Sequence, residues 1–227
     1  DHLPEQQRWQ LVDDPISLKE FEDNLYLRPA YFEYGLSVKS HYQNTIKIYD
    51  DTKVEFYAPD NVAMAAQLYQ NESPLPDYLT FCQRKSGQYA VYVQTPKSGK
   101  YILRLYAGKN KKSHKYDWIM DYSLFASGGK GGQAGFPVSY ATFNDIDAYL
   151  FEPVKRYLDA GKDYKLKLFV PGAIDVSVKM NDQWTPLKSK GDLFEDYITV
   201  RSGTVQVLAK FNDSGNTYKA LLNYIGR

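Results

Sequence analysis

Apolar and polar residues alternate along most of this chain, and they do so twice in the same way. Lys53-Val-Glu-Phe-Tyr-Ala-Pro59 and Lys165-Leu-Lys-Leu-Phe-Val-Pro171 share one pattern. The match runs on without a gap, so that Val62, Met64, Ala66 and Leu68 fall opposite Ile174, Val176, Val178 and Met180. A period of two marks strands with one buried face. The inward set is therefore Val54, Phe56, Ala58, Val62, Met64, Ala66 and Leu68 in the first copy. In the second it is Leu166, Leu168, Val170, Ile174, Val176, Val178 and Met180. A further shared block, Ser98-Gly-Lys-Tyr101 against Ser202-Gly-Thr-Val205, lies closer to its proline in the second copy, as a shorter intervening loop would produce. The chain reads as two related β units.

The remaining strands fall between turn signals. Phe32, Tyr34, Leu36 and Val38 read as an alternating strand continued by Ile46 and Ile48. Further strands are expected at 89–93, 101–107 and 118–124, and in the second copy at 148–151, 197–200, 205–211 and 218–225. Short strands at this spacing, with no long segment of helical period, predict an all-β fold: two tandem immunoglobulin- or fibronectin-like antiparallel sandwiches over 31–127 and 136–227. Between them, Gly128-Gly-Lys-Gly-Gly-Gln-Ala-Gly135 reads as a flexible hinge over 128–135. Residues 1–30 read as a connector from an upstream core. They carry a capping-box pattern at Ser17-Leu-Lys-Glu20, and Trp9, Leu11, Ile16, Phe21 and Leu27 are apolar enough to cover one face of the first sandwich.

Composition narrows the function classes. At 227 residues, each unit of roughly 100 residues can bury a core without metal or disulfide support. The single cysteine, Cys82, cannot form an intramolecular disulfide and favours a reducing, cytoplasmic compartment. A net charge of +1 argues against nucleic acid or acidic lipid as a bulk electrostatic partner. No apolar run approaches the ~18 residues of a membrane span.

Candidate chemistry is sparse. A Cys82 nucleophile would need a nearby histidine and an orienting acid, and the histidines are only His2, His41 and His114. No metal-ligand spacing and no cofactor motif is present. Gly129-Lys130 lacks the hydroxyl residue and helix start of a phosphate-binding loop. Binding has better candidates. Lys109, Lys111, Lys112 and Lys115 form the one concentrated basic run, fit for an acidic protein surface or a phosphoinositide. Tyr57 and its counterpart Phe169 stand on the outward parity, where a solvated strand would be polar, and Trp184 is a further possible anchor. A row of exposed tyrosines, of which the chain has 21, would equally suit a carbohydrate-binding module.

Several phrases together resemble one family. His2-x-Pro4, Trp9-Gln-Leu11, Ile16-Ser-Leu-x-Glu-Phe21 and Leu27-Arg-Pro-Ala-Tyr-Phe32 are similar to the segment following the transglutaminase-like core in the kyphoscoliosis peptidase and hillarin family. Phe136-Pro137, Leu150-Phe-Glu-Pro153, Val170-Pro-Gly-Ala-Ile-Asp-Val176 and Trp184-Thr-Pro-Leu187 resemble its repeated C-terminal β domain. The resemblance implies that the catalytic-type Cys, His and Asp lie upstream and that no position here matches them. Many relatives carry a cysteine in the strand occupied here by Ile146 to Leu150, where this chain has none. It also implies cytoskeletal protein partners and a scaffold or adaptor role, or accessory domains that regulate the upstream core.

Overall fold

The structure, a computed structural model, describes residues 17–18, 23–109, 113, 115–212 and 215–227. Trp9, Leu11, Ile16, Phe21, most of the capping box, Lys111, Lys112, His2 and His114 lie outside the described residues.

The first sandwich comprises β1 (Ser37–Val38), β2 (Thr45–Ile48), β3 (Asp51–Tyr57), β4 (Ala63–Gln70), β5 (Ser73–Pro74), β6 (Thr80–Lys85), β7 (Gln88–Gln94), β8 (Gly99–Gly108) and β9 (Asp117–Ala126). Its two sheets have the orders β1-β3-β7-β6 and β2-β9-β8-β4-β5. The second sandwich comprises β10 (Val138–Ser139), β11 (Tyr149–Glu152), β12 (Tyr157–Leu158), β13 (Asp163–Phe169), β14 (Ala173–Met180), β15 (Gln183–Pro186), β16 (Lys188–Lys190), β17 (Leu193–Thr199), β18 (Gly203–Phe211) and β19 (Tyr218–Gly226). Its sheets run β11-β13-β17-β16 and β10-β19-β18-β14-β15, with β12 also paired to β19. The all-β immunoglobulin-like architecture expected from the alternation is the one observed. Not every pair is antiparallel, however: β2 on β9 and β12 on β19 are parallel. In the first copy β1 pairs with β3 and the chain then crosses to lay β2 beside β9; in the second, β11 pairs with β13 and the chain crosses to lay β12 beside β19.

Tertiary context overrides the period in two places. Pro29–Glu33 is one turn of helix, α1, rather than the start of a strand. Proline at its first turn has the right φ and no amide hydrogen to leave unpaired, and Gly35 at φ +65° ends it. Tyr31 thereby enters the core while Phe32 stays 66% exposed. The second case is Ile174, assigned inward by alternation but 51% exposed. Ala173 pairs with Phe211 and Asp175 with Lys210, so β14 carries one extra residue against β18. This β-bulge turns Ile174 out and restores the pattern at Val176 and Val178, which are fully buried. The other inward positions are buried except Ala66, which packs partly buried against the first core.

The two copies treat their central tyrosines alike. Tyr122 on β9 and Tyr224 on β19 are buried with their hydroxyls donated to backbone carbonyls, of His41 at 2.9 Å and Pro153 at 3.0 Å. The buried phenol keeps a partner and contributes its ring to the core. Upstream of α1, Leu25 and Leu27 pack against the first core. The Arg28 amide donates to the Ile119 carbonyl at 2.9 Å, and its guanidinium lies 3.1 Å from the centre of the Trp118 ring.

The glycine-rich segment does not run free as a hinge. The amides of Gly128, Lys130 and Gly131 donate to the carbonyls of Tyr49, Thr95 and Pro96 at 2.7–3.0 Å. Lys130 pairs with Asp51 at 2.8 Å, and Ala134 is buried. Gly129 passes so close to Lys97 that a Cβ would sit 2.3 Å from its Cα. Glycine here serves close backbone approach, not flexibility.

Candidate interaction surface

Strand β6 is where the sandwiches meet. Phe81 and Gln83 point away from the first core, yet they are 3% and 2% exposed because the second sandwich covers them. Phe81 packs with the second core, its ring 6.1 Å from Phe136 and 5.7 Å from Phe143, and Tyr92 joins at 6.0 Å from Phe136. Gln83 spends its side-chain amide as a strand would spend its backbone. Its Oε1 accepts from the Leu150 amide at 2.9 Å and its Nε2 donates to the Leu150 carbonyl at 3.2 Å.

Arg84, 5% exposed, bonds Asp147 of the second sandwich at 3.0 Å, Asp60 of the first at 2.5 Å and the Ala58 carbonyl at 3.1 Å. Burial opposes its charge, but the two carboxylates outweigh that and hold the guanidinium above the ordinary arginine range. At the far end of the junction the Gly135 amide donates to Gln94 Oε1 and the Phe136 amide to the Tyr78 carbonyl, both at 2.7 Å. The linker is thus held to the first sandwich where it enters the second.

Beside this junction lies a groove of about 480 Å³ with walls from both sandwiches. Lys85 and Ser86 supply one side, and Ile146, Tyr149, Phe151 and Phe169 the other. The Lys85 ammonium stands 5.3 Å from the centre of the Tyr149 ring and 4.8 Å from that of Phe151. These two rings meet edge to face at 5.0 Å. Burial, then a hydrogen bond with Tyr92, pushes the Tyr149 hydroxyl up to about 12. Phe151 and Phe169 are 37% and 38% exposed.

The binding residues read from the sequence are scattered over the molecule. Phe169 lines the groove. Its counterpart Tyr57 ends β3 and is 46% exposed, with the Lys39 ammonium 5.8 Å from its ring. Trp184 lies on β15, an edge strand of the other sheet of the second sandwich, its ring tilted against that of Tyr218 at 4.9 Å. Lys109 sits 5.3 Å over the Tyr34 ring at one end of the β8–β9 hairpin, and Lys115 stands exposed at the other. Cys82 packs against the first core, and burial pushes its thiol up to about 12. The His41 ring meets Ser40 at 3.0 Å, and burial lowers it despite the charge of Glu55. No hydrogen bond joins His41 to Cys82 among the described residues.

Lys85, Tyr149, Phe151 and Gln83 were not singled out by the sequence. For Tyr149 and Phe151 a signal existed, since both are aromatic at outward parity in the strand built on Ala148 and Leu150. That is the same anomaly that marks Phe169.

Comparison with known proteins follows this architecture. The family of KY-like, immunoglobulin-like domains matches residues 18–137. Kyphoscoliosis peptidase of Homo sapiens is 25% identical over 205 residues, and that of Mus musculus 24%. Each match covers 86% of this chain, which spans 31% of the length of these curated relatives. Among solved structures, the fibronectin(III)-like modules of Clostridium thermocellum CbhA are 10% identical, with 85% of this chain and 94% of theirs covered and a TM-score of 0.26. The titin Ig tandem A164-A165 is 9% identical, with 85% and 96% covered and a TM-score of 0.26. Among the described residues no helix is long and apolar enough to cross a membrane.

Proposed function

The chain belongs to the family of KY-like proteins with immunoglobulin-like domains, and from that premise we propose that it is a protein-interaction module of a transglutaminase-like, cytoskeleton-associated cytoplasmic scaffold. It works without catalysis of its own, downstream of the transglutaminase-like core. The observation that carries this reading is the β6 junction. Phe81, Gln83 and Arg84 lock two sandwiches into one unit and leave an aromatic, partly exposed groove beside the lock. Holding the two fixed costs the chain side-chain and linker freedom, which a pair of independent beads would keep. A composite surface is what that cost provides.

Acyl transfer would need a thiolate with a base in reach. A thiol that burial pushes up to about 12 and that has no histidine hydrogen bond among the described residues is a poor start. A glycan platform would draw on the most exposed tyrosines, but Tyr26 lies upstream of the first sandwich, Tyr42 and Tyr49 lie within it, and Tyr197 stands on β17 of the second.

The test is cross-linking mass spectrometry on the full chain in its native source. Cytoskeletal proteins should cross-link to the sandwiches, and Cys82→Ser should leave the set unchanged. Transamidation or proteolysis by the purified chain that disappears with Cys82→Ser would overturn the reading, as would selective binding on a glycan array.

A further inference from the structure

We propose that the junction groove is a peptide site for a segment in which a large apolar side chain is followed within a residue or two by a carboxylate. This deepens the interaction-module reading and rests on it.

The groove wall made by Ile146, Tyr149, Phe151 and Phe169 is apolar, with the Arg84–Asp147 ion pair also in the lining, and its volume of about 480 Å³ suits one large side chain with its neighbours. The charge at its rim decides the rest. Other lysines of the flanking strands each have a carboxylate partner, though they share it two to one. Lys165 and Lys167 pair with Glu195 at 3.3 and 3.0 Å, and Lys39 and Lys53 with Glu55 at 3.8 and 3.0 Å. Arg84 is already engaged by two carboxylates, Asp147 and Asp60. Lys85 alone in this neighbourhood has no carboxylate among the described residues. Its ammonium is instead held over the Tyr149 and Phe151 rings, which steady a cation without neutralising it.

An apolar side chain in the groove would bring its own backbone beside Lys85, and a carboxylate one or two residues on would complete the missing pair. One cation matches one carboxylate, whereas a polyanion such as nucleic acid would call for a basic stripe. Because Lys85 comes from the first sandwich and the aromatic wall from the second, the site exists only while the junction is closed.

The experiment selects a random heptapeptide phage library on the full 227-residue chain. The consensus peptide is then titrated by fluorescence anisotropy against wild type, Lys85→Glu, Phe169→Ser and Trp184→Ala. All three positions are exposed, and circular dichroism confirms that each variant folds. We expect a consensus pairing an aromatic or branched aliphatic residue with Asp or Glu. Its affinity should fall about tenfold or more in Lys85→Glu and in Phe169→Ser and hold in Trp184→Ala. A peptide with Lys in place of its acid should regain affinity for Lys85→Glu. A consensus without an acid, or one indifferent to Lys85→Glu, overturns the groove site and leaves the module reading standing, with its contact elsewhere. An unenriched library overturns the groove site as well, while the native-source cross-links judge the module reading separately.

Discussion

Phe81→Ala is the sharpest test of the junction, because the residue belongs to the first sandwich by sequence and to the second core by packing. The ring is 3% exposed, and its removal leaves a cavity walled by Phe136, Phe143 and Tyr92, whose rings lie within 5.7–6.3 Å. A buried phenylalanine truncated to alanine costs about 3–5 kcal/mol. The upper part of that range applies if three aromatic neighbours cannot collapse into the space. Urea unfolding with peptide-resolved amide hydrogen exchange reads both the size and the place of the loss. We expect the exchange protection of Phe136 and α2 (Ala141–Asp145), which carries Phe143, to fall with that of β6. A loss below about 1 kcal/mol, or one confined to β6 and β7, would refute the claim that the two cores share this side chain.

Three further expectations follow from single residues. Gln83→Ala leaves the buried Leu150 amide and carbonyl without their partners, costing about 2–4 kcal/mol in urea unfolding. Ile174→Ser should change stability by less than about 0.5 kcal/mol, whereas Leu168→Ala, at a fully buried position, should cost about 2–5 kcal/mol. Equal losses in this pair would contradict the bulge. Burial keeps the Cys82 thiol neutral up to about 12, so its contribution to stability is complete below the ordinary thiol range near ~8.5 and is lost as the pH climbs toward 12. Buried Tyr122 and Tyr224 are raised in the same direction. The chain should therefore weaken progressively in alkali, and at pH 8 iodoacetamide should label Cys82 only after unfolding. Rapid labelling of the folded chain would show that the thiol is ionised.

The cores were legible in the sequence because a strand with one wet face writes its burial as alternation, and fourteen positions across two copies wrote it the same way. Ile174 was lost because a bulge is an event in the pairing of two strands and changes no residue of the pattern itself. The α1 turn was lost for a similar reason. Aromatic residues at 32 and 34 imitate a strand, and only the packing of Tyr31 beneath them decides otherwise. The glycine segment misled because glycine serves two opposite ends, freedom and close approach, and Lys97 decides between them. The junction was the least visible part. Phe81 on β6 is indistinguishable by composition from a residue of its own core, and a buried glutamine such as Gln83 is favourable only where Leu150 of another domain presents an amide and a carbonyl together. Of the residues that line the groove, Phe169 stood out through its parity, and Tyr149 and Phe151 could have been found in the same way. Lys85 had no signal until its neighbours were seen to be paired.

The central claim is that the two sandwiches form one fixed unit, and the distance between them tests it most directly. Spin labels at Lys47→Cys and Lys190→Cys, both exposed and one in each sandwich, in a Cys82→Ser background, give that distance by double electron–electron resonance. The account predicts one narrow distance distribution that broadens when Phe81→Ala and Gln83→Ala are combined. A broad distribution in the otherwise unaltered chain, unchanged by that pair of substitutions, would contradict it.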